Sequence, residues 1–381
     1  MEQKLVTKFE NNPIEKEENK TINSREKNWF EETPKFNKNK SQKTLTMTVL
    51  IAAYNEEKSI ERCVKSCLRQ SERPDEIIVV NDGSTDRTLE ILRKIKGITV
   101  VDLKKNSGNK SKAQEQGVKY IGTDLFLTVD ADSFLDRDFI KEIKKPFKSE
   151  KVSAVCGYVK SKKNNWITAV REINYGIGQV IYKRAQAYIN AVFVLSGCCS
   201  AFRTKVFREI ITFDHDNVTE DLDFTYKLKL AGKRIAFSTK AIVHTQDPNN
   251  LKSYIKQIDR WYSGGWVCLK KNKKILKKPN NTLVLGTIYL EGLIMGLPYI
   301  LSPLLILFGL KYFFFFIALD FTMNFILITL SLQKTKRPSL IFYIPHNYFV
   351  RIIDNWILYY TFTKEMIFKR GNLVWNKPDR Y

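Results

Sequence analysis

A short apolar run over 49–53 stops abruptly at Tyr54, Asn55 and Glu56, and the same event repeats further along the chain. Runs over 77–80, 98–101 and 125–129 are equally short and rich in Val, Ile and Leu, and those over 77–80 and 125–129 also close on acidic residues, Asp82 and Asp130. Between them, apolar positions fall at helical spacing as far as residue 70, over 84–97 and over 110–121. Buried strands alternating with helices specify a parallel α/β sheet. Polar residues gather where the strands end, and in open α/β sheets the ligand crevice lies there.

The stretch from 152 to 244 is mixed. It predicts strands over 155–159, over 192–202 with a Ser-Gly interruption, and over 235–243. Helices are expected over 166–187, 220–230 and 251–270, the last interleaving Trp261 and Trp266 with Lys and Arg. After residue 277 the pattern changes again. Residues 283–310 hold one charge, Glu291, and residues 312–332 hold one, Asp320. Each stretch is long enough to cross a hydrocarbon core of ~30 Å, which needs about 20 residues. Pro298 and Pro303 are expected to kink the first. A third apolar stretch, 340–362, carries Arg351 and Asp354. The expected organisation is a disordered polar tail over 1–45, an α/β domain over 46–278 ending in an interfacial helix, and a membrane region over 279–381 with two or three apolar helices and a basic tail.

Charge and composition narrow the partners. The chain has 381 residues and a net charge of +23, from 63 Lys and Arg against 40 Asp and Glu. Such a surplus points to a polyanion, but no nucleic-acid module is present, and basic clusters beside apolar runs favour a membrane surface. The clusters are asymmetric: KKNKKILKK precedes the first apolar stretch, KTKR follows the second, and the turn between them offers only Lys311. The positive-inside rule then places the α/β domain in the cytoplasm, as part of an integral membrane protein. If the C-terminus is also inside, the third stretch lies in the interface. The six cysteines show no zinc spacing, and Cys63 and Cys67 share one helix face. That usage fits a reducing compartment. Three histidines make His-based triads poor candidates.

Four motifs carry chemistry. The strand FLTVDADSF ends in Asp130, Ala131 and Asp132. Two carboxylates at a strand end suit a hard cation such as Mg²⁺ or Mn²⁺, which keeps open positions for phosphate oxygens. Similar pairs are also common at solvated strand ends. In VVNDGSTD, Asp82 can accept from a ribose or an imide, although Ser84, Thr85 and Asp86 are equally helix-cap residues. In NVTEDLDF, Glu220, Asp221 and Asp223 favour a helix dipole, and a carboxylate there can also take a proton from an attacking hydroxyl. In QIDRWYSGGW, Gln257, Arg260 and Trp261 share one helix face, combining a donor, a cation and a flat ring. An interfacial helix has the same composition.

Taken in order, AAYNEE, VNDGSTD, VDADS, SGCCSAFR, TEDLDFTYKL and QIDRWYSGG resemble the family 2 glycosyltransferases, especially the processive poly-N-acetylglucosamine, hyaluronan, chitin and cellulose synthases. The resemblance covers roughly 48–270 and implies a GT-A-like fold. It implies that Ala53, Tyr54, Asn55, Glu56 and Asp82 hold the nucleoside of a UDP-sugar, with Lys110, Asp130, Ala131 and Asp132 near its diphosphate. Asp132 would be the main ligand of Mg²⁺ or Mn²⁺, with Asp130 second. Ser196, Gly197, Cys198 and Glu220 would line the acceptor, Asp221 would be the base, and Gln257, Arg260 and Trp261 would close the site.

The implied reaction is an inverting transfer of N-acetylglucosamine or a similar sugar to a growing polysaccharide. The alternative is single transfer to a polyprenyl- or ceramide-type lipid. A non-catalytic membrane protein that binds nucleotide or anionic lipid is the reading from another class. Three departures bear on this choice. The family's Gly-Lys-Ala stretch reads GNKSKA, Cys198 and Cys199 follow Ser196-Gly197, and no apolar helix precedes the α/β domain. So few helices make a thin wall for a polymer channel. The expected partners are therefore membrane lipids, a glycan or lipid-linked acceptor, and either copies of the chain or other membrane subunits.

Overall fold

The computed structural model describes residues 44–210, 219–302, 307 and 309–368. The expectations for the N-terminal tail up to residue 43, for Pro303 and for the basic tail beyond residue 368 lie outside those residues.

The predicted runs form the centre of an eight-stranded sheet in the order β3-β2-β1-β4-β7-β6-β8-β5. These are β1 (Met47–Ala53), β2 (Glu76–Asp82), β3 (Thr99–Leu103), β4 (Leu125–Asp130), β5 (Phe134–Leu135), β6 (Val152–Ser161), β7 (Ser200–Arg203) and β8 (Arg234–Thr245). Strands β3, β2, β1 and β4 run parallel, as do β6 and β8, while β7 and β5 are antiparallel to their neighbours. Val49, Leu50 and Ile51 are wholly buried on both faces, which is why the run is continuous rather than alternating. The parallel register sets Ala52 beside Asp130 and Ala53 beside Asn81, so the acidic strand ends meet at one edge of the sheet.

The helices of the first half are α1 (Ile60–Leu68), α2 (Thr88–Lys94), α3 (Lys110–Val118) and α4 (Phe139–Lys144). Helix α2 starts four residues later than the periodicity suggests. Asp86 accepts from the Thr88 backbone at 2.9 Å, and Ser84 and Thr85 bond to Asn55 instead of entering the helix. Cys63 and Cys67 are both buried on α1.

Helix α5 (Trp166–Tyr175) opens with a reciprocal capping box between Asn165 and Thr168. It continues through a π-helical stretch, Gly176–Lys183, into α6 (Arg184–Tyr188). The strand expected over 192–202 is a correction: only Ser200–Arg203 is extended in the sheet. Upstream of it, helix side chains replace the ladder. Gln186 accepts from Phe193 N at 2.9 Å, Thr225 from Leu195 N at 2.8 Å and Asp221 from Gly197 N at 3.2 Å. These three backbone donors are satisfied without a neighbouring strand, so the segment can be irregular where it packs against the core.

After α7 (Thr204–Ile210) and α8 (Glu220–Leu230) comes the long α9 (Leu251–Lys271), capped by Asn250. Two further helices, α10 (Pro279–Ile300) and α11 (Leu310–Thr335), are long and apolar enough to cross a membrane. They expose Leu283, Ile294, Leu297, Phe314, Phe315 and Phe325. A last helix, α12 (Ile344–Phe362), packs along α9 through Val350 and Ile357 against Tyr254 and Ile258. Its Arg351 binds Asp320 of α11 at 2.7 Å and Glu291 of α10 at 3.3 Å. The one charge expected in each apolar stretch thus meets a single guanidinium.

Candidate active site

The ends of β1 and β2 are tied into one rim. Asn55 sits in the left-handed region at φ 54°, which Asn tolerates better than most residues. Its side-chain oxygen accepts from Thr85 N at 2.8 Å, and its own N–H donates to Ser84 Oγ at 3.0 Å. Glu56 N donates to Thr88 Oγ1 at 2.8 Å. Asp82 is buried, and its two oxygens accept from Ser107 N and Ser107 Oγ, each at 2.9 Å. Gly83, at φ 65°, lets the loop pass: a Cβ there would lie 2.6 Å from the Lys105 carbonyl carbon. Ser107 Oγ also contacts the Asn109 carbonyl at 3.0 Å, joining the Asp82 rim to the start of α3.

Lys110, the first residue of α3, reaches Asp130 at 2.5 Å and Glu220 at 3.4 Å. Burial alone would lower this ammonium, but Asp130, Glu220 and Asp221 outweigh it and raise it, so Lys110 is charged. Asp132 is nearly buried and accepts from Ser133 Oγ at 3.2 Å, while Ala131 between the two acids is buried. Among the described residues no set of three or more His, Cys, Asp or Glu side chains is placed to hold a metal. Two carboxylates at one strand end nonetheless fit Mg²⁺ or Mn²⁺, for which diphosphate and water oxygens complete the shell. His244 lies beside Phe134, two residues beyond Asp132, where β5 pairs with β8. It bonds Asp136 at 2.9 Å and stacks on Phe134, as a packed histidine does.

Asp221 opens α8 beside this cation. Its oxygens accept from Leu222 N at 2.8 Å and Gly197 N at 3.2 Å. Burial, then the neighbouring Glu220, push its carboxyl up to about 6, against the pull of Lys110 and the two backbone donors. A Cβ on Gly197 would sit 3.2 Å from Lys110 Nζ and 3.7 Å from Asp221 Cβ, so the glycine marks a closely packed junction. Behind it, Ser196 accepts from buried Lys183 at 3.2 Å, and Lys183 also lies 3.4 Å from the Cys156 sulfur. The hydrogen bond to Cys199 lowers the Cys198 thiol, but burial with Asp130 and Asp132 nearby raises it on balance.

Helix α9 approaches through its glycines. Gly264 abuts Thr219, the residue before Glu220, so closely that a Cβ would overlap the threonine side chain. Three residues earlier, Trp261 is 37% exposed and lies over the Arg171 guanidinium at 4.6 Å. Gln257 has a buried, unbonded side-chain oxygen. Arg260 forms no ion pair among the described residues.

Residues 48–211 match the family model described as glycosyl transferase family 2. That segment is similar to the family 2 glycosyltransferases. The chain is 34% identical over 224 residues to the poly-beta-1,6-N-acetyl-D-glucosamine synthase of Staphylococcus aureus strain COL, covering 58% of this chain and 54% of that protein. The match thus spans about half the length of that relative. The Staphylococcus epidermidis protein of the same name is 27% identical over 372 residues, covering 90% of this chain and 89% of its own length. The mannosyltransferase PcManGT from Pyrobaculum calidifontis, solved in complex with GDP-Man and Mn²⁺, has a TM-score of 0.59 at 18% identity, covering 85% of this chain and 88% of its own. That likeness concerns the fold.

Within and just beyond residues 48–211, Lys110, Asp130, Gly197, Glu220 and Asp221 form one cluster. Ala53, Tyr54, Asn55, Glu56 and Asp82 form the adjoining rim, and Gly264, three residues beyond Trp261 on α9, packs against Thr219, the residue before Glu220. Ser107, Arg171 and Lys183 were not singled out from the sequence. Ser107 sits 25 residues beyond Asp82, and no local spacing announces the bond. Arg171 and Lys183 lie on a helix whose pattern reads only as amphipathic.

Proposed function

We propose that this chain is a membrane-bound, inverting glycosyltransferase that moves N-acetylglucosamine or a close analogue from a UDP-sugar onto a growing polysaccharide. The observation that carries the reading is the meeting of Asp221, Lys110 and Asp130 around Gly197, at the edge where the strand ends of the glycosyltransferase domain converge. The synthase relatives supply the sugar and the polymer.

In this reading Asp221 takes the proton of the acceptor hydroxyl as its oxygen bonds to the anomeric carbon. The bond from that carbon to UDP breaks in the same displacement, inverting the centre. A carboxyl near 6 is ionised at neutral pH yet basic enough to accept that proton. Lys110 and Arg260 balance charge on the departing diphosphate. Asp132 and Asp130 would hold Mg²⁺ or Mn²⁺, which when bound neutralises diphosphate charge. Asn55 and Asp82 orient the nucleoside, Ser196, Gly197 and Cys198 floor the acceptor side, and Gln257 and Trp261 cover it. Helices α10 and α11 anchor the chain, with the basic flanks and the glycosyltransferase domain on the cytoplasmic side.

Purified protein in nanodiscs, given UDP-N-acetylglucosamine with Mg²⁺ or Mn²⁺, is expected to release UDP and build long polymer. A one-sugar lipid product would replace the polymer reading with single transfer. No metal-dependent UDP release from any UDP-sugar would sink the enzyme reading.

A further inference from the structure

Trp261 shows only part of its ring to solvent; the rest is organised by a buried cation. Arg171 of α5 is 3% exposed. Its guanidinium carbon lies 4.6 Å from the Trp261 ring centroid, 4.8 Å from that of Tyr175 and 5.5 Å from that of Tyr254. Its Nε is 3.3 Å from Asp247 Oδ1. The Tyr175 hydroxyl donates to that same oxygen at 2.9 Å and accepts from Arg171 Nη2 at 3.2 Å. Tyr254 in turn donates to Asp354 of α12 at 3.0 Å. The Arg171 and Asp247 side chains are 4% and 2% exposed.

We propose that Arg171 is a positioning residue for Trp261, fixing the indole plane so that its uncovered side meets the acceptor sugar. The proposal rests on the reading above, in which Trp261 covers the acceptor. Its physical basis is the shape of the cation. A buried ion pair adds little net stability, because desolvation offsets the attraction. A flat, delocalised guanidinium, however, stacks on several rings at once and still pairs with a carboxylate, which an ammonium cannot do equally well. Here the rings come from both α5 and α9, so the cation sets the angle of α9 at the tryptophan. Gly264, one helical turn on, sets the approach of the same helix to Thr219.

The full chain in nanodiscs is tested as Arg171→Lys, Trp261→Ala and the double variant. The lysine keeps a charge beside Asp247, so the variant carries the test even where Arg171→Met fails to fold. Arg171→Lys is expected to raise the KM for a short N-acetylglucosamine oligosaccharide about tenfold, with kcat changed less than about threefold, the scale of one lost cation–π contact. Binding of UDP-N-acetylglucosamine stays unchanged. In the Trp261→Ala background the lysine substitution adds nothing further, since the two act as one unit. Acrylamide quenching of the emission that disappears in Trp261→Phe should be stronger in Arg171→Lys. Full additivity with Trp261→Ala, or unchanged quenching, overturns the proposal. If Trp261→Ala leaves the oligosaccharide KM unchanged, the acceptor role of Trp261 fails, and the quenching comparison still decides whether Arg171 positions the ring.

Discussion

Replacing Asp221 by asparagine separates the charge of this side chain from its shape. Its carboxyl is raised from an ordinary 3.8 to about 6, chiefly by burial and then by Glu220. At about 1.4 kcal/mol per unit, ionised Asp221 costs the fold on the order of 1–3 kcal/mol, the lower end being favoured because the residue is only partly covered. The sign follows from the raised value. The favourable contribution is complete below about pH 4, is lost as pH rises through 6, and is absent at neutral pH. Asparagine removes that dependence. It also leaves Gly197 N–H or Leu222 N–H without its acceptor, which costs about 1 kcal/mol at every pH. Thermal melts of both proteins in detergent between pH 4 and pH 7.5 should therefore show the difference moving toward the variant by about 1–3 kcal/mol as pH rises. Turnover should drop about 10²- to 10⁴-fold, the usual range for a lost general base, with UDP binding retained. The wild-type rate should fall as pH is lowered through about 6. A stability difference independent of pH, or turnover within about tenfold of wild type, would refute the assignment of the base.

Three other substitutions probe the supports of the site. Gly264→Ala drives a methyl group into Thr219 and is expected to cost about 1–3 kcal/mol and most of the activity; an unchanged melt would contradict the contact. Gly83→Ala adds a side chain at φ 65° against the Lys105 backbone, and should lower stability by at least about 1 kcal/mol and weaken UDP binding, read by melting and by calorimetry. Arg351→Met leaves the buried Asp320 carboxylate, among the described residues, with only the Tyr299 hydroxyl, at an expected cost of about 3–5 kcal/mol in detergent. Adding Asp320→Leu should recover most of that loss.

Much of the fold was legible because local pattern and tertiary environment agree. The runs that became β1, β2 and β4 are apolar at successive positions because both faces are covered. A helix of that length could not bury them so completely. Residues 192–202 show the limit. Val192, Phe193, Val194 and Leu195 read as a strand, yet the side chains of Gln186, Thr225 and Asp221, and not a neighbouring strand, accept from the backbone N–H groups of Phe193, Leu195 and Gly197. The two-residue strand β5 carries too short a pattern to detect. His244 is held by Asp136 and Phe134, more than 100 residues earlier in the chain, and no local pattern announces either contact.

For the site the division is sharper. The amino-acid order alone determined which side chains stand at strand ends and helix starts, since turns and caps are local: Asn55, Asp82, Asp130, Asp132 and Asp221 were all named that way. It also determined that the last third is apolar enough to enter a bilayer. Tertiary structure decided what those acids meet. Lys110 is shared between Asp130 and Glu220, Asp82 is held by Ser107, and Arg351 gathers the isolated charges of α10 and α11. Arg171 lies beneath Trp261. These partners are separated by 20 to 110 residues, and distance through space between such positions is set by packing and not by any pattern along the chain.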